Sequence, residues 1–254
     1  MAIGLFDSGL GGLTVMKELM RALPEEKFFY LADTAGSPYG HKSPDWIIER
    51  TLRSIDFLLQ QKVDLIVIAC FTASIYAQEI AQKKTPIPVI GMISPLFTES
   101  ISTQKSVVLL GTRNTIQSGI LQRLLVEKHP AIDLLSIPCP LFVPFIEEGW
   151  SDHPSLFLVA DRYLAPAKEK EVLLLACTHY PLISSVIQRS LPQTQIINGT
   201  NWVAKKVQSL LPERARQSGP PSFYVTTDQA RFQTLATSFL GISIPQVSCV
   251  ELVV

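Results

Sequence analysis

Two stretches decide the fold: Asp64-Leu65-Ile66-Val67-Ile68-Ala69-Cys70 and Glu171-Val172-Leu173-Leu174-Leu175-Ala176-Cys177. Each is an acidic residue, an unbroken run of Ile, Val and Leu, and then Ala-Cys. A run that is apolar at every position predicts a strand buried on both faces, as in a parallel sheet covered by helices. The two stretches stand 107 positions apart, and so do Ile90 and Ile197. Toward the N-terminus, Ile3-Gly4-Leu5-Phe6-Asp7-Ser8 lies over Val107-Val108-Leu109-Leu110-Gly111-Thr112 at an offset of 104, and Phe28 over Ile132 at the same offset. Four strands repeated in one order, with one small insertion, predict two similar lobes. Amphipathic segments at 13–23, 45–61 and 115–128 predict helices between the strands, and Pro44 marks the start of the second. Alternating strands and helices imply βαβ units. The expected fold is α/β, with two pseudo-symmetric lobes over 1–93 and 94–204. Each is a mostly parallel sheet flanked by helices, with the active site in the cleft between them.

Composition removes several classes of function. Lys and Arg number 22 and Asp and Glu 22, so the formal charge is zero. That leaves no basic stripe for a phosphate backbone, and nucleic acid is not an expected partner. Apolar runs fall far short of the roughly 18–20 residues that span a bilayer, so no membrane association is expected. The opening MAIGLFDSG has neither the basic nor the long apolar region of a signal peptide, and a cytoplasmic location is expected. The four cysteines (Cys70, Cys139, Cys177 and Cys249) are then read as free thiols. There is no CxxC pair, and Cys177 with His179 is the one close pair of soft ligands, so no metal site is expected.

Ligands of open parallel sheets sit beyond the carboxyl ends of the strands, near helix N-termini. Asp7-Ser8, Cys70 and Cys177 all fall at such ends. Facing lobes would bring the two cysteines to opposite walls of one cleft. A lone cysteine there reads as a buried apolar filler. Two at equivalent positions of a repeat, each followed by Thr within two residues (Thr72 and Thr178), point to function.

At this level the chain resembles the glutamate racemases over nearly its whole length. The resemblance rests on Ile3 to Gly9 with Gly11-Gly12-Leu13-Thr14, on Asp33-Thr34-Ala35 with Pro38-Tyr39-Gly40, and on Ala69-Cys70-Phe71-Thr72-Ala73-Ser74. It is completed by Cys139-Pro140, Val143-Pro144, Glu147-Glu148-Gly149 and Cys177-Thr178-His179-Tyr180-Pro181. It implies a two-base racemase without a cofactor, interconverting L- and D-glutamate for peptidoglycan. One cysteine removes the Cα proton and the other protonates the opposite face. A thiol suits this work because its ordinary pKa of about 8.5 can be tuned by a helix N-terminus or a neighbouring base. By the same resemblance Asp7 assists the deprotonation of Cys70, while His179 and Glu147 do the same for Cys177. Substrate contacts are implied for Asp7, Ser8, Tyr39, Gly40, Thr72, Thr112, Thr115, Thr178 and His179. Hydroxyls and helix N–H groups can hold carboxylates without a dedicated Arg. The partner implied is a small amino acid, and a homodimer is an assembly the resemblance admits. The segment 205–254 would return to the N-terminal lobe.

Plainer readings stand beside these. Asp7 and Ser8 are also common helix caps, and Tyr39-Gly40 after Pro38 also reads as a turn. The glycines do not spell a nucleotide loop. Cys139 and Cys249 are read as structural, and His41, His129 and His153 as surface residues. The chain also departs from the family pattern. Phe71 stands where Asn is expected, Ala35-Gly36-Ser37 replaces a segment that usually carries a basic residue, and Asn198-Gly199 stands where Asp is common. Phe71 is expected to point into the cleft. It opens two alternatives: a racemase of the same superfamily with another substrate, or a weakened relative with a binding role.

Overall fold

The computed structural model describes residues 1–94, 101, 106–198, 200–210, 219–244 and 246–252. The first sheet contains β1 (Ala2–Asp7), β2 (Lys27–Ala32), β3 (Leu65–Ile68) and β4 (Val89–Gly91). The second contains β5 (Ser106–Gly111), β6 (Asp133–Pro138), β7 (Val172–Ala176) and β8 (Gln195–Asn198). The strand orders are β2-β1-β3-β4 and β6-β5-β7-β8, every pairing is parallel, and the two lobes therefore repeat one topology. Two later strands, β9 (Ser222–Val225) and β10 (Val247–Cys249), extend the first sheet beyond β2, also in parallel.

Register tests the repeat residue by residue. Ile3 pairs with Leu65 where Val107 pairs with Val172, which keeps the offset of 107 in the third strand. The second strand differs. Ala2 pairs with Lys27 and Ser106 with Asp133, so Ile132 precedes β6 and the expected match of Phe28 to Ile132 slips by two residues. The slip sits in the connection between first and second strands, where an added residue costs little.

Helices α1 (Leu13–Ala22) and α2 (Pro44–Gln60) lie within a residue of expectation. Ser43 caps α2 by accepting from the Trp46 N–H, with Pro at N1. The helix expected over 115–128 is two helices, α4 (Arg113–Gln117) and α5 (Ile120–Lys128); α3 (Phe71–Lys84) precedes them. Gly119, at φ +68°, makes the break, because only glycine adopts that left-handed geometry without strain. The remaining helices are α6 (Phe142–Glu147), α7 (Pro154–Leu164), α8 (Ser184–Ser190), α9 (Asn201–Leu210) and α10 (Gln229–Leu240). Both α9 and α10 pack on α1. The boundary expected at 204/205 thus falls inside α9.

One apolar cluster runs through both lobes, joining Leu5 and Val67 of the first sheet to Leu109 and Leu174 of the second. The lobes share a core, and their strand ends face each other. Among the described residues no helix is long and apolar enough to cross a membrane.

Candidate active site

In each sheet the strand order reverses beside the first strand, between β1 and β3 and again between β5 and β7. Crevices open at such switch points, beyond the carboxyl ends of the strands. The chain puts Asp7-Ser8 after β1, Cys70 after β3, Thr112 after β5 and Cys177-Thr178-His179 after β7. The two crevices meet in one narrow, tightly packed cavity, walled by Ser8, Tyr39, Gly40, Cys70, Phe71 and Thr72 on one side. Thr112, Val143, Cys177, Thr178 and His179 form the other side. A larger pocket of ≈ 760 Å³ lies next to it, past Pro38 and Val143, and has Glu147 and Arg231 in its wall.

Cys70 caps α3, its Sγ accepting from Ala73 N at 3.5 Å, and it lies 3.5 Å from the Ser8 hydroxyl. Burial and then the charge of Asp7 push its thiol up to about 12, so Cys70 rests protonated. Asp7 is fully buried. Its carboxylate accepts from Gly9 N (2.9 Å) and from the Thr178 hydroxyl (3.2 Å) of the other lobe. Burial raises its pKa more than His179 and the Gly9 and Gly12 N–H groups lower it. From this braced position the charge of Asp7 raises the Cys70 thiol and so holds its proton, the opposite sign to the expected help with deprotonation.

On the opposite wall the Cys177 Sγ lies 3.9 Å from His179 Nδ1, and His179 Nε2 lies 2.7 Å from Glu147 Oε1. Burial alone would discharge His179, but its bonds to Cys177 and Glu147 outweigh this and hold its pKa well above the usual histidine range. Glu147 is held below the usual carboxylate range: burial opposes this, but the His179 bond and the N–H of Leu10 (3.0 Å) prevail. A Cys–His–Glu chain backs this wall, and Asp7 backs the other.

Three hydroxyls form a cluster at one end of the cavity. Thr72 lies 2.9 Å from Thr112 and 3.2 Å from Thr115, and Thr112 lies 3.0 Å from Thr115. Gly40 presses on the same cluster, since a Cβ there would fall 2.6 Å from the Thr112 Cβ. The expected site residues thus converge on one cavity, with Asp7, Thr115 and Glu147 directly behind its wall.

Phe71 corrects one expectation in part. It borders the cavity, yet its side chain is 2% exposed and belongs to the apolar core shared by the lobes. It stands where core meets cavity rather than projecting freely into the cleft. Cys139 is buried, but Cys249 is exposed on the edge strand β10, so a packing role for Cys249 does not hold. His129 is half-buried, while His41 and His153 are exposed. Asn198 ends β8, and Gly199 lies outside the described residues.

Other positioning residues carried no signal that pattern reading could use. Asn114 donates to the backbone carbonyls of Tyr39 (3.1 Å) and Lys42 (2.8 Å), which ties α4 to the turn above the cavity. The Tyr39 hydroxyl donates to Asp33 (2.7 Å), which also binds Arg50 and Thr226. The glycines after β1 have a reason beyond a turn. A Cβ on Gly9 would lie 2.1 Å from Glu147 Oε1, and one on Gly11 would lie 2.3 Å from His179 Nδ1. The loop is bare so that Glu147 and His179 of the second lobe can lie on it.

Comparison with known proteins agrees with this geometry. Residues 3–207 match the Asp/Glu/hydantoin racemase family. A glutamate racemase of Geobacter metallireducens is 37% identical over 94% of this chain and 93% of its own. The chain belongs to the glutamate racemase family. Among solved structures, the glutamate racemase of Francisella tularensis in complex with D-glutamate superposes with a TM-score of 0.90 at 35% identity, covering 99% of this chain and 97% of that one. Isoform RacE1 of Bacillus anthracis superposes at 0.89 with 31% identity, over 98% and 97%. An aspartate racemase of Picrophilus torridus, at 0.58 and 19% identity, shares the fold alone. This racemase therefore carries its family's two-lobed architecture with Phe71 built into the wall.

Proposed function

We propose that the chain interconverts L- and D-glutamate by two-base proton transfer between Cys70 and Cys177. The observation that carries this is the placement of both thiols in one cavity, at equivalent ends of two repeated sheets, each with its own proton-handling neighbours. Inversion at carbon needs one acid/base group on each face. In one direction the Cys177 thiolate takes the Cα proton and becomes a thiol. The planar carbanion then takes a proton from the Cys70 thiol, which is left as thiolate. The reverse direction exchanges the roles. His179 Nδ1 lies 3.9 Å from the Cys177 Sγ, within reach to pass a proton to or from it. Asp7 favours the thiol of Cys70.

The hydroxyls of Thr72, Thr112 and Thr115 supply neutral donors for a carboxylate. Ser8, Tyr39, Gly40, Thr178 and the first N–H groups of α3 line the rest. The narrow cavity excludes a nucleotide. On this reading the D-glutamate made goes to peptidoglycan synthesis, the enzyme works in the cytoplasm, and it assembles as a homodimer, which sedimentation would test.

The deciding experiment is exchange of the Cα proton in D₂O, followed by NMR for L-Glu, D-Glu, L-Asp and D-Asp. Exchange and inversion of both glutamates and neither aspartate is expected. Faster exchange of aspartate would move the substrate, and no exchange of any would leave a binding protein.

A further inference from the structure

Glu147 is held from behind. It is the last residue of α6, and its backbone carbonyl accepts a hydrogen bond from the Arg231 guanidinium on α10. The same guanidinium pairs with the Glu148 carboxylate at 2.9 Å. Arg231 comes from the C-terminal segment, attached to the first lobe, and Glu147 from the second. Helix-end carbonyls lack intrahelical partners and carry partial negative charge, so a fixed cation there sets where the helix stops. The carboxylate of that last residue reaches 2.7 Å from His179 Nε2 and 3.0 Å from Leu10 N. A short helix of six residues has little stiffness of its own to hold that reach.

We propose that Arg231 is a positioning residue: it clamps the end of α6 so that Glu147 stays on His179, and through His179 it sets the proton-transfer competence of Cys177. This rests on the racemase reading above. The group it acts through, His179, faces Glu147 from α6, Cys177 after β7 and Asp7 after β1, with Cys70 across the cavity. Losing the clamp frees Glu147 from His179 while Asp7 and both thiols keep their places. The effect is therefore one-sided: the Cys177 wall weakens and the Cys70 wall does not.

The test combines an imidazole ¹⁵N NMR titration of His179 with Cα-proton exchange of each glutamate enantiomer, in wild type, Arg231→Gln and Arg231→Lys. In Arg231→Gln the His179 titration midpoint is expected to fall. Exchange of the enantiomer deprotonated by Cys177 is expected to drop about tenfold, a loss of about 1.4 kcal/mol, while exchange of the other changes less than twofold. Arg231→Lys keeps the charge and a donor without the planar fork, and should lie between. Lower thermal stability with an unchanged titration and unchanged exchange would make Arg231 merely structural and overturn the proposal. So would equal losses for both enantiomers. Should Arg231→Gln not fold, a wild-type titration in Arg231→Lys overturns it as well. The titration needs no turnover, so a wild-type protein that exchanges neither glutamate defeats the racemase reading while the clamp is still judged by NMR.

Discussion

Cys70 and Cys177 sit in one cavity but in unlike surroundings, and that asymmetry makes single substitutions informative. Cys70→Ser or Cys177→Ser should abolish racemisation, because a serine hydroxyl cannot serve as acid or base at neutral pH. Each variant should still exchange the Cα proton of the one enantiomer that its remaining thiol faces. Full racemisation by both variants, read by circular dichroism, would refute the two-base scheme. Phe71 calls for a double measurement. Its ring fills the core where the core meets the cavity. Phe71→Asn should cost about 3 kcal/mol of stability, as for a buried aromatic truncated. It should also place an amide at the cavity wall and raise kcat/KM for glutamate about tenfold, the worth of one good hydrogen bond. A less stable enzyme with unchanged kcat/KM would assign the ring to packing alone. The cysteines were legible because a repeat marks equivalent positions, and Asp7 because it ends a strand. Arg231 and Asn114 were not: each acts on a backbone carbonyl distant in sequence, and such a contact leaves no pattern in the chain.

Strands were legible wherever burial on both faces makes the run continuous. β3 and β7 therefore fall where Leu65 and Val172 open their apolar runs, whereas β6 is half-exposed and its start slips past Ile132. The helix over 115–128 was misread as unbroken because Gly119 interrupts an apolar period that continues on both sides. That glycine was visible, but a glycine within a helical pattern marks a break only when its φ is known. The turn after Pro38 shows how elements close the site. Tyr39 and Gly40 lie against α4, held by Asn114 and touching Thr112. Gly40→Ala would drive a methyl group to within 2.6 Å of the Thr112 Cβ, so turn and helix must part. The expected outcome is a KM for glutamate raised about tenfold or more, with the global fold retained. An unchanged KM would show that the turn yields without disturbing the hydroxyl cluster.

Closure of the two lobes buries ionisable groups, and burial couples the stability of the whole fold to pH. The Cys70 thiol moves from the ordinary thiol range up to about 12, first by burial and then by the charge of Asp7. Burial pushes Cys139 up as well. Each is an acid whose folded pKa exceeds its unfolded one. Above pH 9 the unfolded chain releases these protons while the native state keeps them. The native state then binds more protons than the unfolded state, and stability must fall as pH rises. Each thiol contributes a slope approaching about 1.4 kcal/mol per pH unit, and the two together about twice that. Tyr30, Tyr39 and Tyr180 are also pushed up by burial, from 10.0, and add to the decline increasingly as pH nears 10, while His179, held above its usual range by Cys177 and Glu147, adds to it until its native proton is lost. The difference in slope between wild type and a Cys70 variant therefore isolates Cys70, since the other groups are common to both proteins. Urea unfolding from pH 9 to 10 should show the wild type losing stability steeply, and Cys70→Ser, which has no thiol to ionise at that position, losing it with a slope shallower by up to about 1.4 kcal/mol per pH unit. Equal slopes in the two proteins would mean that Cys70 ionises as readily in the folded protein as in the unfolded chain.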